Sequence, residues 1–376
     1  MKISIGDESI LRKIEISSLR PGMILSSGIY NSRGEELIMA GKQLTDAYVQ
    51  QLLKQGVTVA WVDDAAPLGQ QVNDVIKWQT RLAAVNQVRN ILLDAKDSGR
   101  LVIEPQNLYN TVGEFTEQLL ARKNLIFNLV DLRSQDDYTF AHSVNVCTLS
   151  LMTGITMGYS REDLEVLGVG ALLHDLGKVK IPDQILNKPG ALSKEEFDIM
   201  KKHTIFGYEL IHEAGNIGEV QALMALQHHE NYDGSGYPVG IQDKKIHEFS
   251  QVVAIADRFD AITADRVYRK AFPPHEAFEM CSAAGDYFVK DNISKAFMHN
   301  IAAYPAGTLV ELNNGMIGMA VDTPKGFSLF PLVRVFYNSE FQPVPKQFNL
   351  PLYKKPGLCV LRVLQDSMGY KFKELR

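Results

Sequence analysis

Five of the nine histidines fall in one order along the chain: His142, then His174 beside Asp175, His203, the pair His228-His229, with Asp257 after them. Imidazole and carboxylate are donors for divalent cations, and no thiolate accompanies them. Scattered surface groups would have no reason to follow this order, whereas helices converging on two metal ions would. The chemistry such a centre offers is the activation of water and the clamping of an anionic group by a cation pair.

The elements that must deliver these groups are legible locally. His174 and Asp175 end the apolar run Leu164–Leu173, which reads as a helix starting at Ser160-Arg161-Glu162-Asp163, with Ser160 as N-cap and acidic residues in the first turn. Adjacent helical residues point about 100° apart, so two neighbouring ligands serve one cluster only at a fraying end. There Asp175 is short enough to bridge two cations; the plain alternative is a capping Asp beside a core His. Ser193-Lys194-Glu195-Glu196 is a capping-box signature and opens a helix predicted to carry His203 ten residues on. Gly207, one turn later, leaves space for an ion or its water, or else permits close helix packing. His228-His229 ends another helix before a glycine-rich loop. Asp257 lies in the apolar run Val252-Val253-Ala254-Ile255-Ala256, where a carboxylate is costly without a cation or hydrogen-bond partners; an arginine salt bridge is the alternative. Lys178, three residues after Asp175, places a cation beside the cluster unless it is merely solvated. His212, predicted to face away from His203, is grouped with His247, His275 and His299 as ordinary surface or core histidines.

The wording around these residues, HDLGK at 174–178 and HHENYDGSGYP at 228–238, resembles the HD-GYP family of HD-domain phosphohydrolases over roughly residues 134–304. The resemblance implies a metal-dependent phosphodiesterase that hydrolyses cyclic di-GMP to linear pGpG and onward to GMP. A metal-bridging hydroxide would attack phosphorus and the ribose 3′ oxygen would leave. It implies that His142, His174, Asp175, His203, His228, His229 and Asp257 hold the metals, with Asp175 and Lys178 at the reacting centre. Lys178, Arg266 and Arg269 would bind the substrate phosphates. The family often has Arg then Lys at the last two positions, and Arg269 changes a point charge into a bidentate fork. Some relatives carry Glu one helical turn before the first histidine; Tyr138 stands there, so two metals are expected, not three. Nitrogen and oxygen donors suit Fe, Mn, Ni or Zn, and family habit favours iron or manganese. Gly236-Tyr237-Pro238 would shape the pocket wall, with Tyr237 touching a base or a partner protein. Glu230 and Asp233 read either as groups orienting the histidines or as surface acids. The rival readings are a 3′,3′-cGAMP phosphodiesterase, a non-catalytic cyclic dinucleotide sensor or signalling adaptor, and another HD phosphohydrolase acting on dNTP or alarmone. The double histidine and the GYP loop favour cyclic dinucleotides over the last.

The expected fold is mainly α: an HD-type helical bundle with a small α+β N-terminal domain and a small β-rich C-terminal appendage. Residues 1–66 mix short strands with a helix over Thr45–Lys54, and resemble the domain of unassigned role that often precedes HD-GYP domains. Residues 67–133 read as linker and helical connector. The 71–96 helix there, with Val75, Trp78, Leu82, Val85 and Leu92 in register, either packs on its own domain or serves a homodimer. Residues 134–304 form the catalytic domain and 305–376 the β-rich subdomain, with strands over 307–312, 316–321 and 332–337.

A net charge of −5 and a pI near 6.0 argue against a general polyanion-binding surface, hence no DNA, yet leave room for a local basic pocket. Three widely separated cysteines, Cys147, Cys281 and Cys359, form no disulfide framework. The N-terminus has charges where a signal peptide needs an apolar run, and no stretch has the roughly 18–20 apolar residues that span a bilayer. The expectation is a cytoplasmic protein whose partners are a cyclic dinucleotide and a signalling protein docked on the N-terminal domain or the GYP loop.

Overall fold

The computed structural model describes residues 11–16, 19–25, 29–30, 36–39, 41–54, 59–63, 75–122, 126–127, 138–264 and 271–364. The chain divides into two compact units: 75–127 with 139–301, and 1–74 with 128–138 and 302–376.

In the N-terminal part of the second unit, β1 (Leu11–Glu15), β2 (Ile24–Leu25), β3 (Ile29–Tyr30), β4 (Glu36–Ile38), α1 (Asp46–Lys54) and β5 (Val59–Asp63) follow one another. β1 and β2 flank β5 in an antiparallel sheet, while β3 pairs with β4. Leu25, Leu44, Leu52 and Val62 close a core too small to need more than one short helix.

The helical unit contains α2 (Trp78–Ser98), α3 (Pro105–Ala121), α4 (Tyr138–Met157), α5 (Arg161–Leu173), α6 (Asp183–Leu186), α7 (Lys194–Met200), α8 (His203–Ala214), α9 (Glu219–Gln227), α10 (Glu248–Ile262), α11 (Pro274–Phe288) and α12 (Asp291–Met298). α4 is buried on every side from Ala141 to Met152, so its polar residues must find partners inside. Thr148 and Thr153 do so by donating to carbonyls of their own helix. α5 and α7 both open on the capping boxes read from the sequence, Ser160 with Asp163 and Ser193 with Glu196.

One expectation changes. The helix opened by Ser193 stops at Met200, and His203 begins a separate helix instead of lying ten residues into the first. The cause is local competition for carbonyls: the His203 ring takes Met200 O and the Thr204 hydroxyl takes Lys201 O. Of the helix expected over 71–96, residues 71–74 lie outside the described residues and 75–77 are not helical; α2 starts at Trp78, and its Val85 and Leu92, like Val75 just before it, are buried within this chain. Within this unit α2 packs against α3 and against the 3-10 turn Leu176–Lys180.

In the C-terminal part of the other unit, β6 (Leu309–Leu312), β7 (Ile317–Asp322), β8 (Leu332–Tyr337), β9 (Pro343–Pro351) and β10 (Val360–Val363) form one antiparallel sheet in the order β10-β6-β7-β8-β9. The three inner strands are those the sequence predicts. β9 and β10 escape the pattern because both are edges: β9 carries Pro343, Pro345 and Pro351, which an edge strand tolerates, and neither alternates cleanly. Among the described residues no helix is long and apolar enough to cross a membrane, and the three cysteines are free.

Candidate metal centre

Three helix ends and two helix interiors bring all seven predicted donors together. His174 caps the C-terminus of α5 with Asp175 just beyond it; His203 opens α8; His228 caps α9 and His229 follows. His142 comes from α4 and Asp257 from α10. The donors fall into two groups, His142 with His174 and Asp175, and His203 with His228 and His229, and within each group the ligand atoms lie within 4.8 Å of one another.

Asp175 stands between the groups. Its Oδ2 is 3.4 Å from His174 Nε2 and 3.7 Å from His142 Nε2, while its Oδ1 is 3.5 Å from His203 Nε2 and 3.8 Å from His228 Nε2. Asp257 spans them a second time, with Oδ1 3.1 Å from His142 Nε2 and Oδ2 3.8 Å from His229 Nδ1. Lys178, one turn after Asp175, holds its ammonium against Asp175 Oδ2.

The hydrogen bonds on the far side of each ring test whether cations fit. The Nδ1 atoms of His174, His203 and His228 face backbone carbonyls of Ala171, Met200 and Ala225 at 2.8, 2.8 and 2.9 Å. A carbonyl only accepts, so each Nδ1 carries the proton and each Nε2 presents a lone pair to the centre. His203 Nε2 and His228 Nε2 then face each other across 3.4 Å. His174 Nε2 and Asp175 Oδ1 are buried with no hydrogen-bond partner among the described residues. Acceptors gathered against acceptors in a dry site are unfavourable until a cation lies between them. The donor set fits divalent metals.

His142 is oriented differently. Its Nδ1 donates to Asp260 Oδ2 at 2.7 Å; Asp260 Oδ1 accepts from Asn145 Nδ2 at 2.9 Å; and Asn145 Oδ1 accepts from Arg81 Nη1 at 2.7 Å. Asp260, Asn145 and Arg81 are all buried, and the sequence reading missed all three. A signal existed for two of them: Asn145 follows His142 by three residues and Asp260 follows Asp257 by three, so each pair shares a helix face. Arg81 offered none, since an arginine on an amphipathic helix ordinarily points to water.

The electrostatics separate the groups. Burial pushes His203 down to about 3 and His229 to about 4, and holds His228 well below its ordinary value. Burial acts on His142 in the same sense, but its bonds to Asp257 and Asp260 overcome this and raise it to about 9. Burial opposes ionisation of Asp175 and Asp257 too. Lys178 with the histidines around Asp175, and His142 with His229 around Asp257, nevertheless hold both carboxyls well below the ordinary range.

Several neighbours turn out to have structural tasks. A Cβ on Gly177 would lie 1.9 Å from His203 O, and one on Gly207 would lie 3.2 Å from Ala225 Cβ. Gly207 therefore serves close helix packing, the second of its two readings. Glu230 is neither a surface acid nor a partner of the histidines: it is buried, and its carboxylate accepts from the backbone N–H groups of Val239, Gly240 and Ile241. Asp233 accepts from the backbone and hydroxyl of Ser235, a turn inside the loop. The Tyr237 ring stands 4.8 Å from His229 and 6.1 Å from the half-exposed Phe197. His212 is an exposed residue paired with Glu219, and His247 caps α10 by accepting from Phe249 N. Tyr138 begins α4. Arg266 and Arg269 lie outside the described residues.

Comparison with known proteins agrees with this geometry. The HD domain family model matches residues 118–288, beginning inside α3, upstream of the start expected at 134. A cyclic di-GMP phosphodiesterase of Pseudomonas aeruginosa is 28% identical over 90% of this chain and 88% of its own length. A cyclic di-GMP phosphodiesterase of Thermotoga maritima is 34% identical over 51% of each chain. A 3′3′-cGAMP-specific phosphodiesterase of Vibrio cholerae is 38% identical over 39% of this chain and 28% of its own. Beyond the first, then, the chain spans about half of these relatives or less. A histidine–aspartate pair thrust from a helix end into a ring of lone pairs, ahead of a GYP loop, agrees with the model match in making residues 118–288 an HD domain of the phosphohydrolase kind, consistent with the HD-GYP type.

Proposed function

We propose that the protein is a two-metal phosphodiesterase that opens cyclic di-GMP to linear pGpG. The observation that carries this reading is the placement of Asp175: one buried carboxylate with an oxygen toward each group of imidazoles and the Lys178 ammonium at its side. When bound, a pair of cations supplies an acidified water and neutralises the non-bridging phosphate oxygens.

The chain's own residues then have defined tasks. The buried rings of His203 and His228 and the partly buried ring of His229 stay neutral at ordinary pH and keep their lone pairs available. Asp175 and Asp257 stay ionised and hold the two groups at a fixed separation. Lys178 provides a positive charge at the rim of the centre, where it can meet a phosphate. Arg266 and Arg269 are proposed as the further phosphate contacts, on the strength of the family pattern alone. Water adds to phosphorus, the bond to the ribose 3′ oxygen breaks, and that oxygen takes up a proton, leaving a 5′ phosphate on the linear product; a second turnover of the same kind would give GMP. Iron or manganese suits the all-nitrogen and oxygen donor set. Residues 1–66 are proposed as the regulatory segment.

The test is anaerobic reconstitution with Fe or Mn and chromatography of the products from cyclic di-GMP and 3′,3′-cGAMP side by side. Formation of pGpG at the higher rate is expected. A higher rate on 3′,3′-cGAMP would move the substrate assignment while keeping the reaction, and binding of either without turnover would make the protein a sensor.

A further inference from the structure

The hydrogen-bonded line from His142 leads out of the donor set and into a helix that the HD domain model does not include. Arg81 lies on α2, upstream of the matched residues 118–288. It is 2% exposed, and its Nη1 donates to Asn145 Oδ1 at 2.7 Å. Asn145 in turn donates to Asp260, which is fully buried and accepts from His142.

The chemistry of this line fixes its direction. A guanidinium has donors and no acceptor; a carboxylate has acceptors and no donor. An asparagine amide between them has one orientation that satisfies both, with Oδ1 toward Arg81 and Nδ2 toward Asp260. The other orientation sets NH2 against the guanidinium and oxygen against the carboxylate. Arg81 therefore decides which end of the Asn145 amide meets Asp260, Asn145 decides which Asp260 oxygen is free for His142, and that oxygen fixes both the tautomer and the tilt of the ring. A carboxylate behind a ligating imidazole also raises its basicity as a donor.

We propose that Arg81 is a positioning residue for the metal bound by His142, acting through Asn145 and Asp260. The inference rests on reading the seven donors as a two-metal centre, and it assigns a task to α2 within that centre. It predicts an asymmetric defect. In the other group, His203 and His228 are oriented by backbone carbonyls of α7 and α9 and do not share the line. Loss of Arg81 should weaken one metal and spare the other.

Arg81→Met, Arg81→Gln and Arg81→Lys would be purified without metal, checked for wild-type helical content by circular dichroism, and titrated anaerobically with Fe(II) or with Co(II) as a spectroscopic stand-in. Wild type should take up two equivalents. Arg81→Met should bind one equivalent as wild type does and the second about 10–100-fold more weakly, the scale of losing an outer partner of a metal ligand. The Co(II) ligand-field spectrum of the weakened equivalent should be altered. Lys, a donor-only cation of shorter reach, should restore more of the second equivalent than Gln. Should Arg81→Met fail to fold, the order wild type, Lys, Gln carries the test. Two equivalents of wild-type affinity and unchanged spectrum in the folded variants would overturn the proposal, as would equal weakening of both. Since no substrate enters these titrations, they stand apart from the hydrolysis assay: absence of cyclic dinucleotide turnover would sink the reaction and leave the positioning role, while symmetric metal binding would do the reverse.

Discussion

The two halves of the donor set are held by different means. On the side of His203, His228 and His229, the rings of His203 and His228 lean on carbonyls three or four residues back in the chain. Those contacts exist as soon as the helix ends form. On the other side His174 leans likewise on Ala171 O, but His142 leans on Asp260, which comes from a helix more than a hundred residues away, and Asp260 is set by groups on α4 and α2. The carbonyl contacts are a product of local backbone geometry; the support of His142 exists only after three helices have assembled. Neutral imidazoles come with the first arrangement, a charged and proton-rich environment with the second.

Asp175→Ala is the harshest way to break this division, because the side chain serves both halves. Metal analysis should find both ions lost, and turnover should fall by well over the about 10–100-fold that an outer-sphere loss costs. Retention of one metal at wild-type affinity would mean that Asp175 belongs to one half alone.

Gly177→Ala sharpens the comparison. The added Cβ would press on the carbonyl of His203, so the turn and α8 must part, at about 1–3 kcal/mol by thermal unfolding. Metal affinity at the carbonyl-oriented half should suffer more than at the His142 half; equal losses would count against two separately supported halves.

The gentlest test is proton counting. His142 sits at about 9 when metal-free, above its usual 6.5, so at pH 7.5 it is protonated and cation binding must expel that proton. His203 and His229, at about 3 and 4, have none to expel. Calorimetric titrations in two buffers of different ionisation enthalpy should give close to one proton released on filling the His142 half and close to none on filling the half of His203, His228 and His229. Affinity at His142 should rise with pH up to about 9 and then level off. The same shifts act oppositely on stability of the metal-free fold. The contribution of His142 is complete below pH 6.5 and is lost as pH rises through about 9. That of the two neutral rings is complete above 6.5 and declines as pH falls toward 4.

What could be read from the sequence follows the same line between local and assembled structure. The capping boxes at Ser160 and Ser193, the helix ends bearing His174 and His228, and the inner strands of the C-terminal sheet are written in short-range patterns, and all are found. The seven donors were identifiable because residue type and order persist whatever the fold. The break before His203 was hidden because side-chain capture of carbonyls competes with a helix that propensity favours. Asn145, Asp260 and Arg81 stayed hidden because their meaning lies in one another. No window along the chain contains all three.

Glu230 joins two things that the sequence presents as separate. It is the residue after His229, it clasps the amides of Val239, Gly240 and Ile241, and Tyr237 N donates to His229 O at 3.0 Å. The loop is thus riveted to the backbone that bears the histidine pair at both of its shoulders. A molecule gripping Tyr237 from outside would have its hand on a lever whose short arm ends among the metal-binding rings.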